Sequence, residues 1–489
     1  MNIEITRLKT GLHLNIAAPY LTKYLKYSHR SMEMVNYKRK PVFTERLLHN
    51  PDGKGGLFTL QGFFEKICEL IHKEHDTYIV KDLRPPLPEI DWAAVKAIGP
   101  KDYQIDPLVE FLTKGIDNSG AIIAAGGWGK TYAQAFTYAA FNSLNTILAI
   151  PLKQVFTQTY AKFCAIFPDK HIGRVGDGYT DISKDITLTT FRSLKKCAVE
   201  KCQLLLVDEL QCSTGEQTQE ILTSVSPIRI FGFTATDNGL FNGADKMLKG
   251  IYGERLIDIP YDEAREAGAV VPGVVYFVRM PESEIVTASS FEGALVQGIK
   301  KNKKRNAMIA RACASVPEGW ATLVFIDHIK DHLTQLYPYM PVGTKYIHRE
   351  SSKASAFALS KKQQDTIIEE FSNNEFQHLI ATDAFRAGVD IPHLRVVVQA
   401  SGGSSKIEII QEALRGSRTL SEARQQELGI KDSKTHFVVI DFLDNHDERL
   451  HGMALKRKKY YEGEGWTVVE VDSIDDINWH DTGREPATL

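Results

Sequence analysis

Short apolar runs alternate with helix-length stretches along most of this 489-residue chain, and this alternation restricts the folds open to it. Parallel strands need a crossover of a dozen or more residues, usually a helix, so such a pattern is typical of parallel sheets covered by helices. The first series of runs comprises Ala121–Ala125, Thr146–Pro151, Ile186–Thr189, Gln203–Asp208 and Ile228–Thr234. The second comprises Thr322–Asp327, Lys345–His348, His378–Thr382, Leu394–Ala400 and His436–Asp441. We therefore expect an α/β protein with two parallel-sheet lobes in tandem.

The segment before these two series differs in charge and composition. Residues 1–50 contain nine Lys/Arg and three Glu, interleaved with aromatic residues, among them Tyr27 and Phe43. A turn-rich break at 50–56 precedes an amphipathic helical pattern and a short strand, and the proline-rich run 83–88 is the best linker candidate. We expect a small basic α+β N-terminal domain at 1–95, a first lobe at 96–275, and a second lobe with a C-terminal extension at 276–489.

Composition excludes several classes of protein. Lys+Arg 59 against Asp+Glu 61 leaves a net charge of −2, so any nucleic-acid surface must be local. Apolar stretches long enough to span a membrane are absent from the sequence, and the N-terminus lacks the apolar segment of a secretory signal. The six cysteines form no CxxC pair, which favours reduced thiols. We therefore expect a cytoplasmic protein, in the host cytoplasm if it is phage-encoded.

The most informative motif is AAGGWGKT, at 124–131. It follows an apolar run and precedes a helix-like stretch, which is the context that a phosphate-binding loop requires. Glycines let successive backbone N–H groups face phosphate oxygens, and the helix that follows adds the positive end of its dipole. Lys130 would reach the phosphates and Thr131 would bind Mg²⁺. The predicted binding residues of this loop are Gly126, Gly127, Trp128, Gly129, Lys130 and Thr131. The alternative interpretation is a glycine-rich turn that simply begins a helix.

A second candidate site ends the apolar run QLLLVDELQ. Asp208, at the C-terminal end of the expected strand, could hold Mg²⁺ through water. Glu209 could then orient or deprotonate the attacking water. An isolated Asp-Glu pair is often no more than a solvated turn. Here it follows the phosphate loop within the same lobe, which favours hydrolysis of a nucleoside triphosphate.

The order of these motifs resembles that of superfamily 2 helicases and translocases, whose phosphate loop begins with alanine as this one does at Ala124. The other matching segments are Tyr103-Gln104, Ile150–Gln158, Thr189–Phe191, Asp208–Gln211, Phe233–Thr236, Ile380–Ile391 and Gln411–Arg418. The resemblance spans about residues 100–445. It departs from the family pattern at Gln211, the last position of the D-E-x-H box, and at Leu414, where the family has glycine. The sequence signatures of DEAD-box RNA helicases are absent.

The resemblance implies ATP and Mg²⁺ as cofactors and a role for each matching residue. Gln104 would read adenine, and Gly388 and Asp390 would contribute to nucleotide binding from the fifth motif. Arg415 and Arg418 would reach the γ-phosphate from the second lobe. The implied catalytic residues are Lys130, Asp208, Glu209, Gln411, Arg415 and Arg418, and the implied metal-binding residues are Thr131 and Asp208.

The layout of the N-terminal domain is similar to that of phage recombination helicases of the UvsW type. That resemblance implies DNA with forks or junctions as the partner, together with recombination or replication proteins, and a function in unwinding and branch migration. Basic residues interleaved with aromatics also suit phosphate contact and base stacking. The alternative is a duplex-DNA translocase, the motor subunit of a restriction or remodelling complex. A nucleotide-dependent binding switch is a third possibility, but it requires the loss of a hydrolytic residue, and none is missing from this sequence.

Overall fold

The computed structural model describes residues 1–35, 38–151, 153–197, 199–235, 245–280, 288–327, 329–348, 357–382 and 391–482. The chain forms two compact units. One comprises residues 1–124 and 129–259, and the other comprises residues 125–128 and 260–489.

The first eighty or so residues form a small sheet of their own with two helices. The elements are β1 (Asn2–Leu8), β2 (Gly11–Leu14), α1 (Pro19–Tyr24), β3 (Lys26–Val35), β4 (Lys38–Leu47), β5 (His49–Pro51), β6 (Leu57–Thr59), α2 (Phe64–Lys73) and β7 (Thr77–Asp82). Five of the strands pair in the order β5-β6-β2-β1-β7, whereas β3 and β4, within the described residues, pair only with each other. Ile67 and Ile71 lie on one face of α2 and pack into the core of this sheet. This is the expected α+β domain.

An eight-stranded sheet follows, in the order β11-β10-β12-β9-β13-β14-β8-β15. Its pairs are parallel except β10 with β11. The elements are α3 (Trp92–Ile98), α4 (Asp102–Asp117), β8 (Gly120–Ala124), α5 (Lys130–Ala140), β9 (Thr146–Ile150), α6 (Lys153–Ile166), β10 (Ile172–Gly176), β11 (Tyr179–Asp181), β12 (Ile186–Thr190), β13 (Leu204–Asp208), α7 (Glu216–Ser224), β14 (Arg229–Thr234), α8 (Asp245–Tyr252) and β15 (Glu254–Ile259). Strands β8, β9, β13 and β14 are buried at every residue, as expected of a parallel sheet covered on both faces.

The second unit carries a seven-stranded parallel sheet, in the order β18-β19-β17-β20-β21-β16-β22. Its elements are α9 (Tyr261–Glu266), β16 (Gly273–Arg279), α10 (Phe291–Ala294), α11 (Lys303–Ser315), β17 (Ala321–Phe325), α12 (Thr334–Leu336), β18 (Lys345–Ile347), α13 (Lys361–Ser372), β19 (His378–Ala381), β20 (Leu394–Gln399), α14 (Lys406–Ala413), α15 (Glu422–Glu427), β21 (Phe437–Leu443), α16 (Glu448–Gly463) and β22 (Thr467–Val471). The predicted fold class, two RecA-like lobes in tandem after a small α+β domain, is confirmed. No helix in the described part of the chain is both long and apolar enough to cross a membrane.

Both predicted boundaries shift. The predicted end of the first lobe at residue 275 is wrong, because β16 begins at Gly273 and pairs with β21 and β22 of the second sheet. Compact packing divides the chain between Ile259 and Pro260 instead. The boundary at residue 95 falls inside α3, whose N-terminal cap is Asp91. Asn142 of the first lobe donates a hydrogen bond to that carboxylate over 3.0 Å. The first lobe therefore begins before residue 91.

The N-terminal domain packs directly on the first lobe. Arg84, from the predicted linker, donates to the backbone oxygen of Asp117 over 2.8 Å. Arg7 donates to the same oxygen over 3.2 Å and to Oδ1 of Asn118 over 2.7 Å. Both guanidinium groups therefore cap the C-terminal end of α4, where unpaired carbonyls and the negative end of the helix dipole favour cations.

A second contact joins the N-terminal domain to α8. A Cβ added at Gly62 would come within 2.2 Å of the backbone oxygen of Lys249 and 2.5 Å of the backbone nitrogen of Gly253. Two backbone segments thus approach as closely as glycine permits. The linker candidate at 83–88 therefore does not separate the two domains, since residues 1–95 share backbone and arginine contacts with the first lobe.

Candidate nucleotide-binding and hydrolysis site

The predicted phosphate loop connects β8 to α5, as the sequence indicated. Gly127 and Gly129 have φ angles of 99° and 110°, in the left-handed region that residues with a side chain rarely adopt. Trp128 between them is 1% exposed, so its indole ring is buried within the protein. Helix α5 begins at Lys130, immediately after the loop, and its first N–H groups lack partners within the helix. This backbone conformation fits a bound polyphosphate.

Gln104 lies beside this loop. It is in the first turn of α4, is 3% exposed, and accepts a hydrogen bond from the Lys101 N–H over 3.1 Å. A Cβ at Gly129 would come within 2.5 Å of Nε2 of Gln104. Gly129 is therefore required for two reasons, its backbone conformation and the room that it leaves for the Gln104 amide. The resemblance-based assignment of Gln104 to adenine stays a prediction.

Asp208 ends β13 as a buried carboxylate, 7% exposed. Gln134 donates to its Oδ1 over 2.8 Å. Burial raises the pKa of Asp208 well above its ordinary value, and the charge of Glu209 raises it further, while Lys130 and the hydrogen bond from Gln134 oppose that shift. A divalent cation next to Asp208 would offset the free-energy cost of burying its negative charge. Asp208 therefore fits Mg²⁺, which proteins commonly hold through one or two carboxylates together with substrate phosphates.

Lys130 and Thr131, the first two residues of α5, are both half-buried. Nζ of Lys130 donates to the backbone oxygen of Ala124 over 3.2 Å, which holds the ammonium group at the start of the loop. Gln134 stands one helical turn after Lys130 on the same face of α5, and the i, i+4 spacing places neighbouring side chains together. Sequence reasoning missed Gln134, although this spacing was visible.

A chain of hydrogen bonds holds Glu209. The residue has a φ of 46°, an uncommon conformation for a side-chain-bearing residue and one typical of functional sites. Nε2 of Gln211 donates to Oε2 of Glu209 over 2.7 Å, and the Thr234 hydroxyl donates to Oε1 of Gln211 over 2.5 Å. Gln211 and Thr234 are both buried. The departure from the family pattern at Gln211 therefore connects Glu209 to the end of β14.

The second unit carries the other predicted catalytic residues. Gln411 lies on α14, where the neighbouring buried Glu412 accepts a hydrogen bond from Gln399 of β20 over 2.6 Å. Arg415 follows the end of α14, and Arg418 forms an isolated backbone bridge with Val270. Burial lowers the pKa of Arg418 to about 10, so its guanidinium stays charged at neutral pH.

The structure thus brings together part of the predicted site. Lys130, Thr131, Asp208 and Glu209 lie in the first unit with Gln104 and Gly129, whereas Gln411, Arg415 and Arg418 belong to the second, as do the loop residues Gly126, Gly127 and Trp128. Gly388, Asp390 and the motif residue Thr236 lie outside the described residues.

Two family models match the chain. Residues 97–238 match the model described as the res subunit of type III restriction enzymes, and residues 301–419 match the helicase conserved C-terminal domain. A curated relative, helicase 22 of Sulfolobus islandicus filamentous virus (isolate Iceland/Hveragerdi), is 31% identical over 104 residues. That match spans 21% of this chain and only 16% of the relative.

Solved structures share the fold at low identity. A fragment of an HsdR subunit of a type I restriction enzyme from Vibrio vulnificus YJ016 has a TM-score of 0.56 at 14% identity, covering 92% of this chain and 80% of that one. The type ISP restriction-modification enzyme LlaBIII, bound to DNA, has a TM-score of 0.53 at 15% identity, covering 84% of this chain and 34% of that one. T4 UvsW covers 96% of this chain and 99% of its own, at 15% identity and a TM-score of 0.43.

Proposed function

We propose that this superfamily 2 helicase hydrolyses ATP to move along DNA and to remodel branched DNA, by unwinding forks and junctions and by branch migration. The observation that carries the ATPase part is a pair of adjacent carboxylates at the end of β13, each held by hydrogen bonds. Gln134 donates to Asp208, and the chain from Thr234 through Gln211 ends at Glu209. The DNA part is supported by the basic N-terminal domain and by its direct packing on the first lobe.

In this proposal each residue of the first unit performs one part of phosphoryl transfer, which is catalysed mainly by positioning and by neutralising charge. The loop N–H groups and Lys130 bind the β- and γ-phosphates. Glu209, oriented by Gln211, accepts a proton from the attacking water. Thr131 and Asp208 would hold Mg²⁺, which would supply positive charge to neutralise the phosphates. Gln104 selects adenine.

The second unit provides positive charge for the transition state. Arg415 and Arg418, with Gln411 beside them in the motif, would neutralise charge that develops on the γ-phosphate. Hydrolysis would then depend on both lobes, so that each ATP cycle is tied to a change in their arrangement and, in turn, to movement along DNA.

The proposal of branched DNA relies on the N-terminal domain. Residues 1–50 carry nine Lys/Arg against three Glu, while the whole chain has a net charge of −2. This concentration of positive charge suits phosphate contacts, and those contacts make binding salt-dependent. We also propose recombination or replication proteins as partners. We place the activity in the cytoplasm, because all six cysteines are free thiols.

A second candidate is a duplex-DNA translocase, the motor of a restriction or remodelling complex. The similarity in fold to the HsdR fragment and to LlaBIII favours it. Such a motor moves along duplex DNA without separating the strands. The two candidates therefore differ in their product, which is separated strands for the helicase and intact duplex for the translocase.

The test measures ATPase activity with no nucleic acid, single-stranded DNA, duplex, a fork, a four-way junction and RNA, alongside strand displacement and triplex displacement. We expect the fork and the junction to stimulate hydrolysis most and the strands to separate. Triplex displacement without strand separation would favour the translocase, and stimulation by RNA alone would overturn a DNA function. Lys130→Ala is the negative control for each assay.

A further inference from the structure

Strands β3 (Lys26–Val35) and β4 (Lys38–Leu47) form a two-stranded ribbon that is separate, among the described residues, from the sheet of the N-terminal domain. Ten cross-strand pairs join the two strands, from Lys26 with Leu47 to Val35 with Lys38. At about 3.4 Å per residue, ten residues make a ribbon on the order of 30 Å long. In the described structure neither strand pairs with any other strand.

The described part of β4 has almost no packing on either face. Phe43 is 64% exposed and Leu47 is 61% exposed, and these residues share one face of the strand. Lys40, Thr44 and Arg46, on the opposite face, are exposed as well. An isolated two-stranded hairpin is marginally stable in water. The described side chains of β4 therefore provide no hydrophobic core that would account for the length of the ribbon.

The base of the ribbon is anchored. Leu25 and Leu48, which flank the two strands, are buried in the core of the N-terminal domain, and the Leu48 N–H donates to the Leu25 oxygen over 2.8 Å. Lys246 of α8 donates to the backbone oxygen of Lys26 over 3.0 Å, and its ammonium lies 4.0 Å from the centre of the Tyr24 ring. The base is thus held by both the N-terminal domain and the first lobe.

The composition of the ribbon identifies the kind of partner that it fits. Residues 26–47 contain six Lys/Arg and two Glu, a net charge of +4 in a chain whose net charge is −2. Pro41 lacks the N–H that an added strand would need, and charged residues are the usual protection of an exposed edge against pairing with another chain. A basic two-stranded β-ribbon has the width that the major groove of B-DNA admits.

We propose that the ribbon formed by β3 and β4 is a duplex-binding arm, which enters a groove of double-stranded DNA and contacts phosphates on both sides. This inference rests on the proposed function. The ribbon is the element through which the helicase would hold duplex DNA next to its two RecA-like lobes. Basic side chains supply the phosphate contacts, and the exposed apolar side chains of β4, such as Phe43, become covered on binding.

The test is a salt titration of binding to a labelled blunt duplex and to a single strand of equal length. The variant Lys40→Ala/Arg46→Ala removes two exposed charges from the ribbon. The matched control Lys73→Ala/Lys81→Ala removes two exposed charges from α2 and β7 of the same domain. We expect the ribbon variant to flatten the log–log salt dependence of duplex binding by about 2, since each lost phosphate contact contributes about 0.9. ATPase activity without nucleic acid stays at the wild-type level.

The other outcomes overturn the inference. If the ribbon variant left the salt dependence of duplex binding unchanged, or if the control variant flattened it equally, the ribbon would contribute no more than any other positive charge on the domain. If the ribbon variant lost equal affinity for single-stranded and duplex DNA, the ribbon would bind single strands as well and would not be a duplex-binding arm. If DNA still stimulates the wild-type ATPase in either case, the proposed function survives and only the arm fails. If no nucleic acid binds or stimulates the wild-type protein, both proposals fail together.

Discussion

The two units hold their site residues in different ways. In the first unit, each functional carboxylate accepts a hydrogen bond from a glutamine amide, Asp208 from Gln134 and Glu209 from Gln211. In the second unit, buried ion pairs hold the framework. Arg305 contacts Asp444 over 2.8 Å, and Arg457 contacts Asp441 over 2.8 Å, with all four side chains at most 1% exposed.

The two arginines of these ion pairs also hold the loop between β20 and α14. Arg305 donates to the backbone oxygen of Ala400 over 2.7 Å, and Arg457 donates to that of Gly403 over 3.1 Å, so both hold the segment between β20 and α14. These two ion pairs involve arginines other than the motif residues Arg415 and Arg418. We infer that substitutions of Glu209, Gln211 and Thr234 act non-additively, because hydrogen bonds join these three side chains.

Lys130→Ala has the largest expected effect. Loss of the ammonium removes the charge that binds the β- and γ-phosphates, so we expect no steady-state ATP hydrolysis above background, with an unchanged unfolding temperature. A phosphate-release assay with excess ATP measures this. Near-wild-type turnover would contradict the ATPase assignment itself.

Arg415→Ala tests the second unit. An arginine that neutralises the transition state contributes on the order of 10³–10⁵ in turnover. We expect a loss in that range for kcat, with ATP binding retained. Single-turnover kinetics separate the two quantities. A change below about tenfold would place Arg415 outside the catalytic group and leave the role to Arg418.

Glu209→Gln probes the water-activating residue in the first unit. Loss of a positioned general base lowers turnover by about 10²–10⁴ while the phosphate contacts remain. Fluorescent-nucleotide binding together with single-turnover chemistry checks this. If affinity for ATP collapsed and chemistry stayed normal, Glu209 would be a structural residue of the turn that follows β13.

Thr234→Val breaks the chain of hydrogen bonds at its far end, since it removes only the hydroxyl that donates to Gln211. We expect hydrolysis to fall by about tenfold, the effect of roughly 1.4 kcal/mol for one hydrogen bond. The double variant Thr234→Val/Glu209→Gln should lose less than the sum of the two single effects. Thr137→Val is the matched control, because that buried hydroxyl of α5 donates to the Ala133 oxygen of its own helix. Full additivity would mean that the two residues act independently.

Gly62→Ala has the smallest expected effect on catalysis and acts on stability instead. The added methyl group would overlap the backbone of α8, and overpacking of this kind costs about 1–3 kcal/mol. Urea unfolding measures the free energy of unfolding. Gly452→Ala is the control, because no atom lies within 4 Å of a Cβ at that position of α16. Equal stability of both variants would mean that the N-terminal domain is not seated on α8 as described.

Ten strands of the two lobes could be predicted from the sequence, because each lies in a short, mostly apolar run. All ten predicted runs overlap strands of the two sheets, from β8 at Gly120–Ala124 to β21 at Phe437–Leu443. The phosphate loop was also predictable, since its glycines, lysine and threonine are consecutive and act through local backbone conformation. The position of Asp208 and Glu209 at the end of β13 was predictable too, because these two residues directly follow an apolar run.

Other features depended on contacts between distant segments. The strand β16 belongs to the second sheet because its partners, β21 and β22, begin at Phe437 and Thr467, and no local pattern encodes that pairing. The run 83–88 has the composition of a linker, yet Arg84 is bonded to the end of α4. Periodicity and motif order depend on neighbouring residues and are therefore written in the sequence itself. Sheet membership, the packing of the N-terminal domain and the hydrogen-bonded chain from Thr234 to Glu209 required tertiary structure, because their hydrogen bonds and backbone contacts join residues that only folding brings together.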